Sequence, residues 1–257
     1  MALPPITTGK QPMPPRCFLY GTSGVGKTTL AASIPGAILM PAEEGSDALD
    51  CSRLPQPTSF DQVLEQLRSL CTEEHPYTTL VIDSVTALEQ LIWKHVVASN
   101  PKWSSIEDAG YGKGYIMASE SWRYLLDALQ FLRAKRGMAI LLIGHAEIKT
   151  VNAPDMEPFD RYQPRLHKIA TAMLTEWSDA LLFANYKTFI VSDETKGGNE
   201  RARGVGTGER IVHTTERPSH LAKNRYAMPD QMPMQWNTIQ SSIIAAFTPA
   251  AATQATV

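Results

Sequence analysis

Residues Gly21-Thr22-Ser23-Gly24-Val25-Gly26-Lys27-Thr28 fit the spacing G-x-x-x-x-G-K-[ST]. The pattern works only between a strand and a helix. The strand carries the loop to a sheet edge, the glycines let successive N–H groups turn inward around an anion, and the helix that follows aims the positive end of its dipole at the same place. Both flanks are present: Cys17-Phe18-Leu19-Tyr20 is an apolar run, and Thr29-Leu30-Ala31-Ala32 is helix-forming. The chain is therefore read as α/β, a mainly parallel central sheet flanked by helices. The loop from Gly21 to Thr28, with Thr29, would cradle phosphates. Lys27 would reach the β- and γ-phosphates of ATP, and the Thr28 hydroxyl would ligate Mg²⁺.

The remainder of the chain alternates in the way this fold requires. Strands are expected at 17–21, 37–41, 78–83 and 138–143, and helices at 27–34, 60–71, 86–98, 115–135 and 165–176. Thr79-Leu80-Val81-Ile82 and Ala139-Ile140-Leu141-Leu142-Ile143 are apolar on both faces, as strands buried between two helix layers must be. The last third changes character. Runs at 179–191, 209–214 and 219–222, around a glycine-rich tip Lys196–Gly208, predict antiparallel strands that extend the sheet, and a final helix is expected at 236–247. Residues 1–15 carry five prolines and read as an extended arm; 16–247 form the ATPase domain, and 248–257 a loose Ala/Thr-rich tail. The hydrophobic fraction of 43% suffices for a sizeable core, and the net charge of −2 excludes a polycation, so any nucleic-acid contact must come from a local patch. Cys17, Cys51 and Cys71 have no metal-ligand spacing and read as reduced thiols. No membrane span or signal segment is legible, which points to the cytoplasm.

Two further carboxylates complete the expected site. Thr79-Leu80-Val81-Ile82-Asp83 is an apolar strand ending in an acid, so Asp83 would hold Mg²⁺ together with Thr28. The next residue is Ser84, not a water-activating Glu. That role falls to Glu43, with Glu44 second, at the end of the strand after the phosphate-loop helix. His145 ends the 138–143 strand, where a polar side chain would meet the γ-phosphate.

In order and type, Gly21–Thr28, Ala42-Glu43, Val81-Ile82-Asp83-Ser84-Val85-Thr86-Ala87-Leu88 and Gly144-His145 resemble the core of RecA-like recombinase ATPases. Ala222-Lys223-Asn224-Arg225-Tyr226 resembles the segment of those proteins that offers two cations to a neighbour's ATP. Asp108-Ala109-Gly110-Tyr111-Gly112-Lys113-Gly114-Tyr115 and Phe159–Lys168 look like the phage-encoded RecA-like ATPases of the Sak annealing/recombinase group. The resemblance covers roughly residues 16 to 235. It implies ATP at subunit interfaces, with Lys223 and Arg225 acting in trans, and self-assembly into a filament or ring. It implies single-stranded DNA as the partner, admits a single-strand DNA-binding protein as another, and places a phage-encoded protein in the host cytoplasm. The chain is shorter than bacterial RecA and has His145 where RecA carries an Asn-Gln pair, which favours annealing or DNA binding over full strand exchange.

DNA contacts are expected on two loops that interleave cations with aromatics, a composition suited to single strands. The first, about 99–115, holds Lys102, Trp103, Tyr111 and Lys113; the second, about 146–168, holds Lys149, Arg161, Tyr162, Arg165 and Lys168. The tip Lys196–Gly208 is a third possible phosphate contact or a plain hairpin. A helicase or helicase-loading motor on the same core and a nucleotide-switched protein scaffold remain open readings; a small-molecule kinase lacks a visible acceptor pocket.

Overall fold

A computed structural model describes residues 3–194 and 200–248. The chain runs β1 (Arg16–Gly21), α1 (Lys27–Ala32), β2 (Ala37–Pro41), β3 (Ser52–Arg53), α2 (Phe60–Thr72), β4 (Thr79–Asp83), α3 (Val85–Ala98), a 3-10 turn (Ile106–Ala109) and α4 (Lys113–Lys135). It continues through β5 (Ala139–Val151), β6 (Phe159–Pro164), α5 (Lys168–Trp177), β7 (Ala180–Glu194), β8 (Glu200–His213), β9 (Lys223–Asn224), β10 (Gln231–Pro233) and α6 (Trp236–Ala245). The sheet order is β10-β8-β7-β1-β5-β4-β2-β3, with β6 added to β5 and β9 to β7. From β7 to β3 the strands are parallel; β8 and β10 extend the sheet antiparallel. The fold class read from the sequence is the one observed.

Strand alternation explains the layers. Phe18, Tyr20, Met40, Leu80, Ile82, Ile140 and Leu142 face one side, where Val63, Leu67, Leu88, Ile92, Trp122, Leu125 and Leu129 of α2, α3 and α4 cover them, with Leu174 of α5. Leu19, Leu39, Val81, Leu141 and Ile143 face the other, under Leu30 of α1 and Trp236, Ile239 and Ile243 of α6. Helix starts follow their caps: Ser59 accepts from Gln62 N, and Ser84 from Ala87 N.

Several expected boundaries move. The stretch 146–168 is no irregular loop. β5 continues past the sheet edge to Val151 and pairs with β6 from Ala146↔Pro164 to Val151↔Phe159. The run 165–176 becomes a helix only at Lys168, because β6 runs to Pro164 and His167 caps the helix through its ring. Lys113 is the first residue of α4, two ahead of the expected start, because Gly112 adopts the left-handed conformation that caps it. The run 219–222 is not a strand: Arg217 and His220 close a turn, and the pairing residues are Lys223 and Asn224. Of the tip Lys196–Gly208, positions 200–208 belong to β8 and 196–199 lie outside the described residues, as does 249–257 of the tail.

Candidate active site

The phosphate loop leaves the carboxyl end of β1 between β5 and β7, whose residues His145 and Ala184 pair with Gly21. Gly26 takes φ +96, a value few side chains tolerate, and α1 begins at the next residue. Lys27 is buried, and its Nζ donates to Gly21 O at 3.1 Å and Thr22 O at 3.0 Å. Burial, helped by the charge of Arg165, lowers its pKa, while Asp83 and Glu43 pull the other way. An incoming phosphate would offer this ammonium a stronger partner than two carbonyls.

Asp83 ends β4, and its Oδ2 accepts from the Thr28 hydroxyl at 2.6 Å. Two hard oxygen donors at the mouth of a phosphate loop fit the usual Mg²⁺ arrangement, in which the protein supplies one or two ligands and the nucleotide supplies others. Bound there, the metal would neutralise charge on the β- and γ-phosphates. Burial, aided by the nearby Glu43 charge, raises Asp83, against the Thr28 hydrogen bond and Lys27.

Glu43 follows β2 and lies beside Asp83 because Ala42 N donates to Asp83 O at 2.7 Å. Its Oε1 is 2.9 Å from His145 Nε2. Burial works to raise the Glu43 carboxyl, but the His145 hydrogen bond and charge, with Ser84 and Lys27, hold it below its ordinary value. Glu44 is exposed. The structure thus gathers Lys27, Thr28, Asp83, Glu43 and His145 at one sheet edge, with Gly21–Thr29 beneath.

A cavity of about 520 Å³ opens beside Glu43, lined by Thr86, Glu89, Gln90, Trp93, Arg165 and His167, among others. Glu89 was not singled out by any sequence motif. It is 3% exposed, both carboxylate oxygens accept from His167 N at 3.1 Å, and burial pushes its pKa up to about 7. The His167 ring stacks on Tyr115, with centroids 4.0 Å apart.

The expected DNA residues divide. Tyr111 is fully exposed at φ 49, between glycines, and Lys102 and Lys113 are exposed nearby. Trp103 packs against the core. On the hairpin, Lys149 pairs with Glu147 at 3.1 Å and Arg161 with Glu216 at 2.9 Å; beyond it, Arg165 and Lys168 are exposed. Tyr162 stacks on Phe183 at 5.0 Å, which makes its ring part of the packing.

Lys223 and Arg225 are not near the phosphate loop of their own chain. β9 pairs with the first residues of β7, at the amino edge of the parallel sheet. There Lys223 Nζ donates to the carbonyls of Thr175 and Glu176, and Arg225 reaches Asp179 at 3.3 Å. Asp179 also holds Arg16 at 2.6 Å and Arg133 at 3.5 Å.

Among the described residues no helix is long and apolar enough to cross a membrane. No curated protein matches the chain. Residues 13–226, well over half of the chain, match the AAA domain family, and the protein belongs to this family of P-loop ATPases.

Proposed function

We propose that this ATPase binds single-stranded DNA, assembles head to tail with ATP between subunits, and promotes annealing or recombination in the manner of the phage Sak group. The observation that carries the reading is the continuity of β5. One strand runs from the buried core, through His145 on Glu43, into the hairpin that bears Lys149 and pairs with the strand of Arg161. A ligand that moves the hairpin moves His145, and with it the orientation of Glu43.

In this mechanism Glu43 takes a proton from water as the water oxygen bonds to the γ-phosphorus, and the bond to the bridging β–γ oxygen breaks. Lys27 neutralises charge on the transferring group, Thr28 and Asp83 hold Mg²⁺, and Lys223 and Arg225 arrive from the neighbour. The site faces one edge of the sheet and the two cations the other, a geometry that suits a head-to-tail assembly.

The test is ATP turnover of purified protein with and without single-stranded DNA, beside Lys27→Ala and Lys223→Ala/Arg225→Ala. Stimulation by DNA that both variants lose supports the proposal, and DNA affinity should fall steeply with salt. Turnover indifferent to DNA would favour a nucleotide-switched protein scaffold, and ATP-driven unwinding would favour a helicase motor.

A further inference from the structure

One cation lies against the phosphate loop without belonging to any of its motifs. Arg210 of β8 sits opposite Tyr186 of β7, beside the register shift between Tyr186 and Thr188. Such irregularities re-aim the side chains next to them. Here the pair is turned toward the loop. The Tyr186 hydroxyl donates to Gly24 O at 3.0 Å. Arg210 Nη1 lies so close to Gly26 that a Cβ added there would sit 2.6 Å from it. Gly26 is the loop residue just before Lys27, and its amide belongs to the anion cradle. Arg210 is exposed, and no carboxylate among the described residues pairs with it. An unpaired guanidinium held beside phosphate-binding amides is a ready anion ligand.

A cavity of about 320 Å³ continues from this point along α1, past Thr29 and Ser33, to Gln235, Trp236 and Asn237. Gly26, Thr29 and Ser33 recur at helical spacing, so the cavity follows one face of α1 away from the Thr28–Asp83 pair. Trp236, in its wall, is 7% exposed, and its indole N–H is buried without a hydrogen-bond acceptor. Buried donors are ordinarily paired, and nucleosides carry acceptors on both sugar and base.

We propose that Arg210 contacts the α- and β-phosphates in cis, and that the cavity beyond it receives the nucleoside. This rests on the nucleotide-binding reading and extends it. The role differs from that of Lys223 and Arg225, which reach a nucleotide only from another copy. A contact to the α- and β-phosphates forms with ADP and ATP alike, so it acts on binding and not on the hydrolytic step.

The experiment is titration of mant-ADP and mant-ATP into wild type, Arg210→Ala, Arg210→Lys and Asn237→Phe, with inorganic pyrophosphate as competitor. Loss of one charge-assisted contact should weaken both mant nucleotides roughly 10- to 100-fold in Arg210→Ala, with partial recovery in Arg210→Lys and an unchanged ligand-free Tm. Asn237→Phe, which narrows the cavity, should weaken mant-ADP and leave pyrophosphate competition unaltered. Unchanged mant-ADP affinity in Arg210→Ala overturns the assignment. A loss confined to mant-ATP overturns it too, because it moves the contact to the γ-phosphate. Wild-type protein that binds neither nucleotide would sink the nucleotide reading itself, a failure distinct from the other two.

Discussion

Glu43 is the base of the proposed hydrolysis, and its environment makes two outcomes calculable. Converting it to Gln keeps the shape and the link to His145 but removes the proton acceptor. Turnover should fall by about 10²–10⁴-fold while mant-ATP affinity changes little, because the lost interaction forms only in the transition state. Equal turnover in Glu43→Gln would hand the role to another group. The second outcome concerns pH. Burial tends to raise the Glu43 carboxyl, and the His145 contact is the largest influence holding it down. A base with a lowered pKa stays ionised as pH falls, so turnover in wild type should hold steady from pH 8 to about 5, short of the ordinary Glu value. In His145→Ala the acid limb should shift to higher pH. An acid limb that stays in place would show that His145 does not set the state of the base.

Elements were legible in proportion to how locally their signals lie. β1, β4 and the first half of β5 announce themselves as short apolar runs, and α2 and α3 begin at serine caps. β6 has no apolar face: Phe159-Asp160-Arg161-Tyr162-Gln163-Pro164 mixes both kinds of residue on each side and is fixed by its pairing with β5. β8 is longer than its sequence suggests because Gly204, Gly206 and Gly208 disguise a strand that β7 holds in register. The site divides the same way. That Lys27, Thr28, Asp83 and Glu43 converge could be expected because each belongs to a motif attached to one strand end. The placement of Arg210, Asp179 and Glu89 could not, because each makes its contacts with residues far away in the chain. Glu89 on α3 yields a stability prediction. Its folded pKa of about 7 lies above the ordinary value of about 4.5, so the native state holds a proton that the unfolded chain has lost. Stability should therefore decline as pH rises between these values, by on the order of 3 kcal/mol, with the penalty fully present above about pH 7. Glu89→Gln retains an acceptor for His167 N–H without the charge. Urea midpoints of variant and wild type should separate as pH rises from 5 to 8, and a gap independent of pH would show that Glu89 does not titrate in this window.

The molecule presents the phosphate loop and the Lys223–Arg225 pair at opposite edges of one sheet, and the proposed head-to-tail assembly depends on that polarity. At the amino edge Asp179 faces Arg16, Arg133 and Arg225, with Lys223 and the nearby charge of Glu176 beside them. The four cations outnumber the two acids, and Arg225 is the exposed member facing Asp179, with a side chain 53% accessible. Arg16 binds Asp179 through Nε and Nη2, so the carboxylate is anchored to the core strand β1 and in turn steadies Arg225. An excess of positive charge that Asp179 and Glu176 offset only in part, among the described residues, is suited to a phosphate supplied from outside. If that phosphate belongs to the next copy's nucleotide, two defective proteins should repair each other. Lys27→Ala has no working loop but keeps its cations; Lys223→Ala/Arg225→Ala keeps its loop and loses the cations. Each is expected to be inactive alone. In an equal mixture of randomly assembled subunits, about a quarter of the interfaces join an intact loop to intact cations, and turnover should recover to roughly that fraction of wild type. Asp179→Asn, which loosens Arg225 without deleting it, should complement Lys27→Ala less well than wild type does. Mixtures that co-assemble yet hydrolyse no more ATP than either variant alone would rule out the shared site and confine catalysis to the residues around Glu43.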